Sequence, residues 1–162
     1  GFVSKHLNDV LSRLCSHFDS KKKGIVKLFK IQHLCERFDG ELNDGVDDAT
    51  IISQLHPTPA VSAYPNLPLS HWESMEGFKR GWFSGPIGFL GDQESELLVA
   101  IRACLVLKDR CVVFSGAGLV SDSNFIEEWE EVDYKTSIIM DSVGLSDQVS
   151  SLRYSYQYQV KS

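Results

Sequence analysis

The sequence contains no uninterrupted run of about 18 apolar residues, so no segment is read as a membrane-crossing helix. Its four cysteines, Cys15, Cys35, Cys104 and Cys111, include no Cys-x-x-Cys pair. That spacing excludes the usual zinc and dithiol motifs and predicts buried, reduced thiols, as in cytosol or plastid stroma. Positive charge is scarce too. Sixteen Lys and Arg against 22 Asp and Glu leave a net charge of -6, and the one basic run, Lys21-Lys22-Lys23, reads as a solvated turn. A nucleic-acid backbone requires a clustered basic face, so nucleic acid is not an expected partner. The opening residues lack a targeting pattern because His6, Asp9 and nearby charges interrupt any apolar core; a targeting segment would lie upstream of Gly1.

What is present suffices for one globular core: 162 residues, 43% of them hydrophobic. Phe2, Leu7, Val10, Leu11, Leu14 and Phe18 predict an amphipathic helix that ends before Lys21-Lys22-Lys23-Gly24. Ile25 to Ile31, apolar on both sides, predicts an interior strand. Phe38 to Asp48 reads as a loop and Ala49 to Leu55 as a short helix or strand. Pro57, Pro59, Pro65 and Pro68 then fix φ and remove donors, giving a rigid irregular wall of the kind that suits a ligand pocket. Leu69 to Phe78 predicts a helix with Trp72, Met75 and Phe78 or Gly77 facing inward. Three strands follow, Trp82 to Leu90, Glu96 to Leu107 and Cys111 to Gly116, turning at Gly91-Asp92-Gln93 and Lys108-Asp109-Arg110 into an antiparallel meander. Beyond 142 the chain predicts a polar flexible extension.

The most legible element is a helix from Phe125 to Met140. Phe125, Trp129, Val132, Thr136 and Ile139 recur at spacings of four, three, four and three, the period of a helix that lays one stripe on a core. Asp122 or Ser123 is placed to cap it. Glu128, Glu131 and Lys135 then share another side, with Glu131 and Lys135 four apart and able to pair. Two carboxylates one turn apart can reach a single Mg²⁺, which takes oxygen ligands and keeps several waters. A solvated acidic face at the helix N-terminus is the alternative reading. Arg102 interrupts an apolar strand run. A guanidinium buried there needs either an acidic partner or a ligand carboxylate matching its planar fork.

His56-Pro57-Thr58-Pro59-Ala60-Val61, Gly85-Pro86-Ile87-Gly88, Ile101-Arg102, Gly116-Ala117-Gly118-Leu119-Val120 and Glu128-Trp129-Glu130-Glu131 through Lys135 occur in one order. Together they resemble the C-terminal half of the chorismate-utilising enzymes, over about Val10 to Met140. The likeness is strongest to isochorismate synthases of plant type, through Phe78-Lys79-Arg80-Gly81-Trp82-Phe83-Ser84-Gly85-Pro86. Anthranilate and aminodeoxychorismate synthases fit less well around His56 to Ala60.

The resemblance implies an α+β fold, an antiparallel sheet with packed helices, forming half of the two-sheet chorismate-binding (anthranilate synthase-like) architecture. It implies residues 1–141 as the C-terminal portion of that domain and 142–162 as an extension outside it. It also implies chorismate as substrate, contacts to it from Thr58, Ala60, Arg102, Gly116 and Lys135, and Mg²⁺ held by Glu131 and Glu128. Ala63 departs from the family's usual glycine and would crowd that pocket. The general base and acid are expected upstream of Gly1, and a first metal carboxylate near Gly1 or Phe2, where no Glu stands. The expected catalytic residues in this chain are therefore none, and the missing N-terminal half, or other modules of a longer protein, are expected partners. Plant relatives imply a plastid location, and otherwise a cytoplasmic one. Three readings follow: an isochorismate synthase module for quinone or salicylate synthesis, active once completed; a catalytically inactive remnant that serves folding or interaction; and another chorismate enzyme of anthranilate or salicylate synthase type.

Overall fold

The computed structural model describes residues 1–27, 32–64 and 69–145, which divide into two units. The first comprises Gly1–Asn66 with Gly88–Leu97. Its helix α1 (Phe2–Leu14) buries Val10 and Leu14, and Cys15 completes the cluster, with Leu11, Phe18, Val46, Ile51 and Leu55 packed around it. The helix stops sooner than its apolar period predicts. Cys15 is already extended (φ -110, ψ 144), and Phe18, which the helical spacing includes, lies on strand β1 (Cys15–Lys27) opposite Gly40. Gly40 is needed there, because a Cβ would lie 2.7 Å from that of Phe18. Leu14→Ala is expected to cost about 2–5 kcal/mol through lost burial and the cavity left behind, measured by chemical denaturation of the whole chain.

Strand β1 pairs antiparallel with β2 (Gln32–Leu42), with a register shift between Lys21 and Gly24. The basic run is thus an irregular piece of strand, not a turn, and Phe38 to Leu42 is strand where a loop was predicted. Cross-strand charge explains both corrections. Lys21 Nζ lies 2.6 Å from Asp39 and Lys23 Nζ 3.7 Å from Glu36 on the other strand, while Arg37, on the same strand as Asp39, approaches it through Nε at 2.7 Å. Lys21 stands directly opposite Arg37 and Asp19 opposite Asp39, so the pairing of Lys21 with Asp39 runs diagonally, within reach of a long side chain, and offsets the like charges that face each other. Hydrogen bonds, from Ser4 above all to Glu36 and from Lys21 above all to Asp39, hold both carboxyls below their usual range. Ile25 and Val26 are exposed (64% and 44%), not interior. The next residues of that expected strand, 28–31, lie outside the described residues. Helix α2 (Asp48–Leu55) resolves the helix-or-strand choice, because Asp47 caps it, accepting from Thr50 N at 2.8 Å and Thr50 Oγ1 at 2.6 Å.

Strands β3 (Pro86–Leu90) and β4 (Ser95–Val99) form a second two-stranded sheet around the expected turn at Gly91. A Cβ on Gly88 would lie 1.9 Å from the Glu96 carbonyl oxygen, so only glycine allows this approach of the two backbones. Ser95 Oγ donates to Asp48 Oδ2 (2.6 Å), tying the hairpin to the start of α2.

The second unit is Leu67–Ile87 together with the described residues from Leu98 onward. Helix α3 (Leu69–Glu76) forms where expected, but Met75 and Phe78 are exposed rather than core residues. The Trp72 side chain lies outside the description. Trp82 to Ser84 is a turn where strand was predicted, closed by Phe83 N to Arg80 O and Gly85 N to Trp82 O. Gly81 (φ 58) and Ser84 (φ 63) adopt the left-handed conformation within it. Buried Ser84 is fixed from two directions: its amide donates to Ala100 O, and Arg80, which itself grips Glu76 through Nε (2.7 Å) and Nη2 (2.5 Å), donates to Ser84 Oγ at 2.9 Å.

The expected strand Glu96 to Leu107 is two strands, β4 and β5 (Ala103–Val106). A tight turn closed by Ile101 N to Val99 O (2.8 Å) takes Arg102 out of any ladder. The meander therefore becomes separate two-stranded sheets, with β5 pairing only β6 (Cys111–Phe114) among the described strands. Phe83 stacks on Phe114 at 5.5 Å. Helix α4 (Phe125–Ser142) runs two residues beyond its predicted end, and Asn124 caps it rather than Asp122 or Ser123, accepting from Ile126 N at 2.9 Å. Its stripe buries Thr136, Ile139 and Met140 and half-buries Trp129 and Val132, but leaves Phe125 exposed. Of the thiols only Cys15 is buried; all four are free. The α+β class and antiparallel pairing hold. Residues 146–162, most of the predicted extension, lie outside the described residues.

Candidate functional site

Strand β6 runs directly into Ser115-Gly116-Ala117-Gly118, and α4 holds this loop at two points. Ser115 Oγ donates to Val132 O at 3.4 Å, and Lys135 Nζ donates to Gly116 O at 3.1 Å. Lys135 Nζ also lies 2.5 Å from Glu131 Oε1, one turn back on the helix. The i, i+4 spacing read in the sequence is therefore a real ion pair, and its ammonium bridges a carboxylate and a backbone carbonyl. Cβ atoms placed on Gly116 and Gly118 would meet nothing, so the backbone of this loop faces open space.

Glu128 is half-buried and accepts from Ser123 Oγ at 2.6 Å, while Val120 N donates to that same hydroxyl at 3.0 Å. The loop before α4 thus orients one carboxylate and the helix orients the other. Sequence reasoning missed Ser123 in this role, treating it as a cap; the acidic residue five positions on was the available signal. Arg102 is exposed and lies at the bend before β5, not buried in a strand. Since Ala103 pairs with Phe114, Arg102 and Ser115 are the residues just past one end of the β5–β6 ladder. That is the end from which the glycine loop departs.

Thr58 and Ala60 belong to the first unit, in the turn that follows a cis His56-Pro57 bond and is closed by Val61 N to Thr58 O (3.0 Å). Thr58 is half-buried and Ala60 exposed. Partial burial pushes the neighbouring His56 imidazole below its usual value, favouring the neutral form. Gly116, Glu128, Glu131, Lys135 and Arg102 belong to the second unit.

Among the described residues, no three His, Cys, Asp or Glu side chains gather where they could enclose an ion. Glu128 and Glu131 nevertheless fit a hard divalent cation as two of its ligands. They are oxygen donors one turn apart, and such a cation is commonly held by one or two carboxylates with waters and substrate oxygens supplying the rest. Among the described residues no helix is long and apolar enough to cross a membrane.

Residues 1–144 match the family model of the chorismate binding enzymes. The chain belongs to that family. It is 36% identical over 141 residues to the chloroplastic isochorismate synthase of Catharanthus roseus, covering 85% of this chain and 24% of the relative. To chloroplastic isochorismate synthase 2 of Arabidopsis thaliana it is 38% identical, covering 83% of this chain and 25% of the relative. Among solved structures, the menaquinone-specific isochorismate synthase of Escherichia coli superposes with a TM-score of 0.66 and 29% identity, covering 85% of this chain and 32% of that one. The chain thus spans about a quarter of the curated relatives' length. Within the family, its α4 carries the carboxylate pair and its β6–α4 loop the open glycines.

Proposed function

We propose that this chain is the substrate- and cation-holding part of an isochorismate synthase, converting chorismate to isochorismate when completed by an N-terminal half. The observation that carries the reading is similarity to isochorismate synthases over more than four fifths of the chain (85% and 83%), within a family match over residues 1–144 that takes in the helix bearing Glu128, Glu131 and Lys135.

Conversion moves a hydroxyl from one ring carbon to its neighbour. Water adds at the second carbon and gives a proton to a base, the original hydroxyl leaves as water after taking a proton from an acid, and no net atoms are gained or lost. This chain's part is to hold. Arg102 offers a planar fork to a substrate carboxylate, and the open backbone around Gly116 offers N–H donors to the same group. Glu128 and Glu131 hold Mg²⁺, which when bound neutralises carboxylate charge on the substrate. The base and acid come from the completing portion.

Many large apolar side chains stand exposed among the described residues, including Leu34 (73%), Val106 (73%) and Phe125 (74%), against five buried hydrophobic residues. Such bareness supports a chain that shares its core with further polypeptide. The chloroplastic relatives support a plastid location.

The test is a chimera in which this chain replaces the matched segment of the Catharanthus roseus enzyme. Incubated with chorismate and Mg²⁺, it is expected to form isochorismate, followed by chromatography. A chimera that melts cooperatively like its parent yet forms no isochorismate would overturn the proposal.

A further inference from the structure

Lys135 is engaged in a way that substrate binding alone does not require. Its Nζ lies 2.5 Å from Glu131 Oε1 and 3.1 Å from Gly116 O, a carboxylate oxygen and a carbonyl oxygen. These are hard oxygen donors, the kind a divalent cation takes. Glu131 is the more exposed partner (50%) and Lys135 the more enclosed (28%), so the ammonium lies under the glycine loop while the carboxylate edge stays open to solvent.

We propose that Lys135 is an internal latch on the cation site. Its ammonium neutralises Glu131 until a divalent cation arrives, and the cation must displace it to gain Glu131 Oε1. This rests on the reading of Glu128 and Glu131 as cation ligands. Two consequences follow from the geometry. Cation binding has to overcome the ion pair, so the bare cation is held less tightly than the two carboxylates alone would hold it, and a cation that gains further ligands, such as those of a bound anion, is favoured. Displacement also releases both the ammonium and the Gly116 carbonyl together, making Lys135 available to an anionic ligand at the moment the cation is held. Cation and anion are then coupled through one side chain, and by linkage each tightens the other equally. Lys135 is in this sense a positioning residue for the cation site before it is a contact for anything else.

The test titrates Mn²⁺, a spectroscopically visible divalent cation, into the whole 162-residue chain to millimolar concentration, following free ion by electron paramagnetic resonance. Four forms are compared: the parent, Lys135→Met, Glu131→Gln and the double variant. Release of the ion pair is expected to make Lys135→Met bind about three- to tenfold tighter than the parent. In the Glu131→Gln background the same substitution is expected to give no gain, because the partner through which the latch acts is gone. A gain that persists without Glu131 would mean general charge repulsion and would overturn the latch, as would equal binding by the parent and Lys135→Met. Absence of Mn²⁺ binding in all four forms would overturn the assignment of the two glutamates as cation ligands, and the latch with it. A second readout is the ¹³C signal of reductively methylated Lys135, identified by its loss in Lys135→Met. Mg²⁺ is expected to move it to its position in Glu131→Gln; a signal that ignores Mg²⁺ while Mn²⁺ binds overturns the latch alone.

Discussion

The 162-residue chain by itself is expected to leave chorismate unchanged. On the function proposed above, the proton-accepting and proton-donating groups come from the completing portion. Each positioned acid or base contributes about 10² to 10⁴ in rate, so lacking both puts turnover some four or more orders of magnitude below that of the completed enzyme. On that reading the residues of this chain bind ligands rather than transfer protons. Lys135 is occupied by Glu131 and the Gly116 carbonyl, and Glu128 by Ser123. His56, pushed toward its neutral form, belongs to the other unit. The measurement is purified chain with chorismate and Mg²⁺, with isochorismate followed by chromatography. Formation above the no-protein control that disappears in Glu131→Gln would show that catalytic groups do reside in this chain.

In the chimera that restores the completing portion, Glu131→Gln is expected to lower kcat/KM by roughly 10² or more, the loss typical of removing one preorganised electrostatic contact to developing charge. Glutamine keeps the volume and one oxygen but not the charge, so a partial recovery at high Mg²⁺ is expected. Glu128→Gln should follow the same course more mildly, because Ser123 Oγ already draws on one of its oxygens. Activity within about twofold of the parent, at Mg²⁺ levels that leave the parent half-saturated, would move the cation off this helix altogether.

Helix α4 was legible because its signal is local. Trp129, Val132, Thr136 and Ile139 carry the period that packing demands, and the charges on the other face follow without further information. The spacing of Glu131 and Lys135 announced their pair for the same reason. What escaped was set by partners distant in sequence. Lys21-Lys22-Lys23-Gly24 looks like a turn until Glu36 and Asp39 are known to stand across from it. Phe18 continues the helical spacing of α1, yet Gly40 on the opposite strand is what claims it. The apolar run into Arg102 reads as one strand because nothing in it marks the turn at Ile101, which backbone hydrogen bonding alone reveals. The exposed Phe125, lying on the correct stripe, shows that periodicity identifies an apolar face without identifying what covers it.

The turn that carries Trp82 gives the protein a built-in optical reporter. The indole is 89% exposed, while the backbone beneath it is fixed by the Glu76–Arg80–Ser84 chain of hydrogen bonds. A water-exposed indole emits at long wavelength and is readily reached by iodide, whereas one covered by protein emits to the blue and is shielded. Comparing the chain with its Trp82→Phe form isolates that contribution to the fluorescence from those of Trp72 and Trp129. A blue shift confined to Trp82 when the completing polypeptide is added would report assembly at this surface in real time, independently of any turnover.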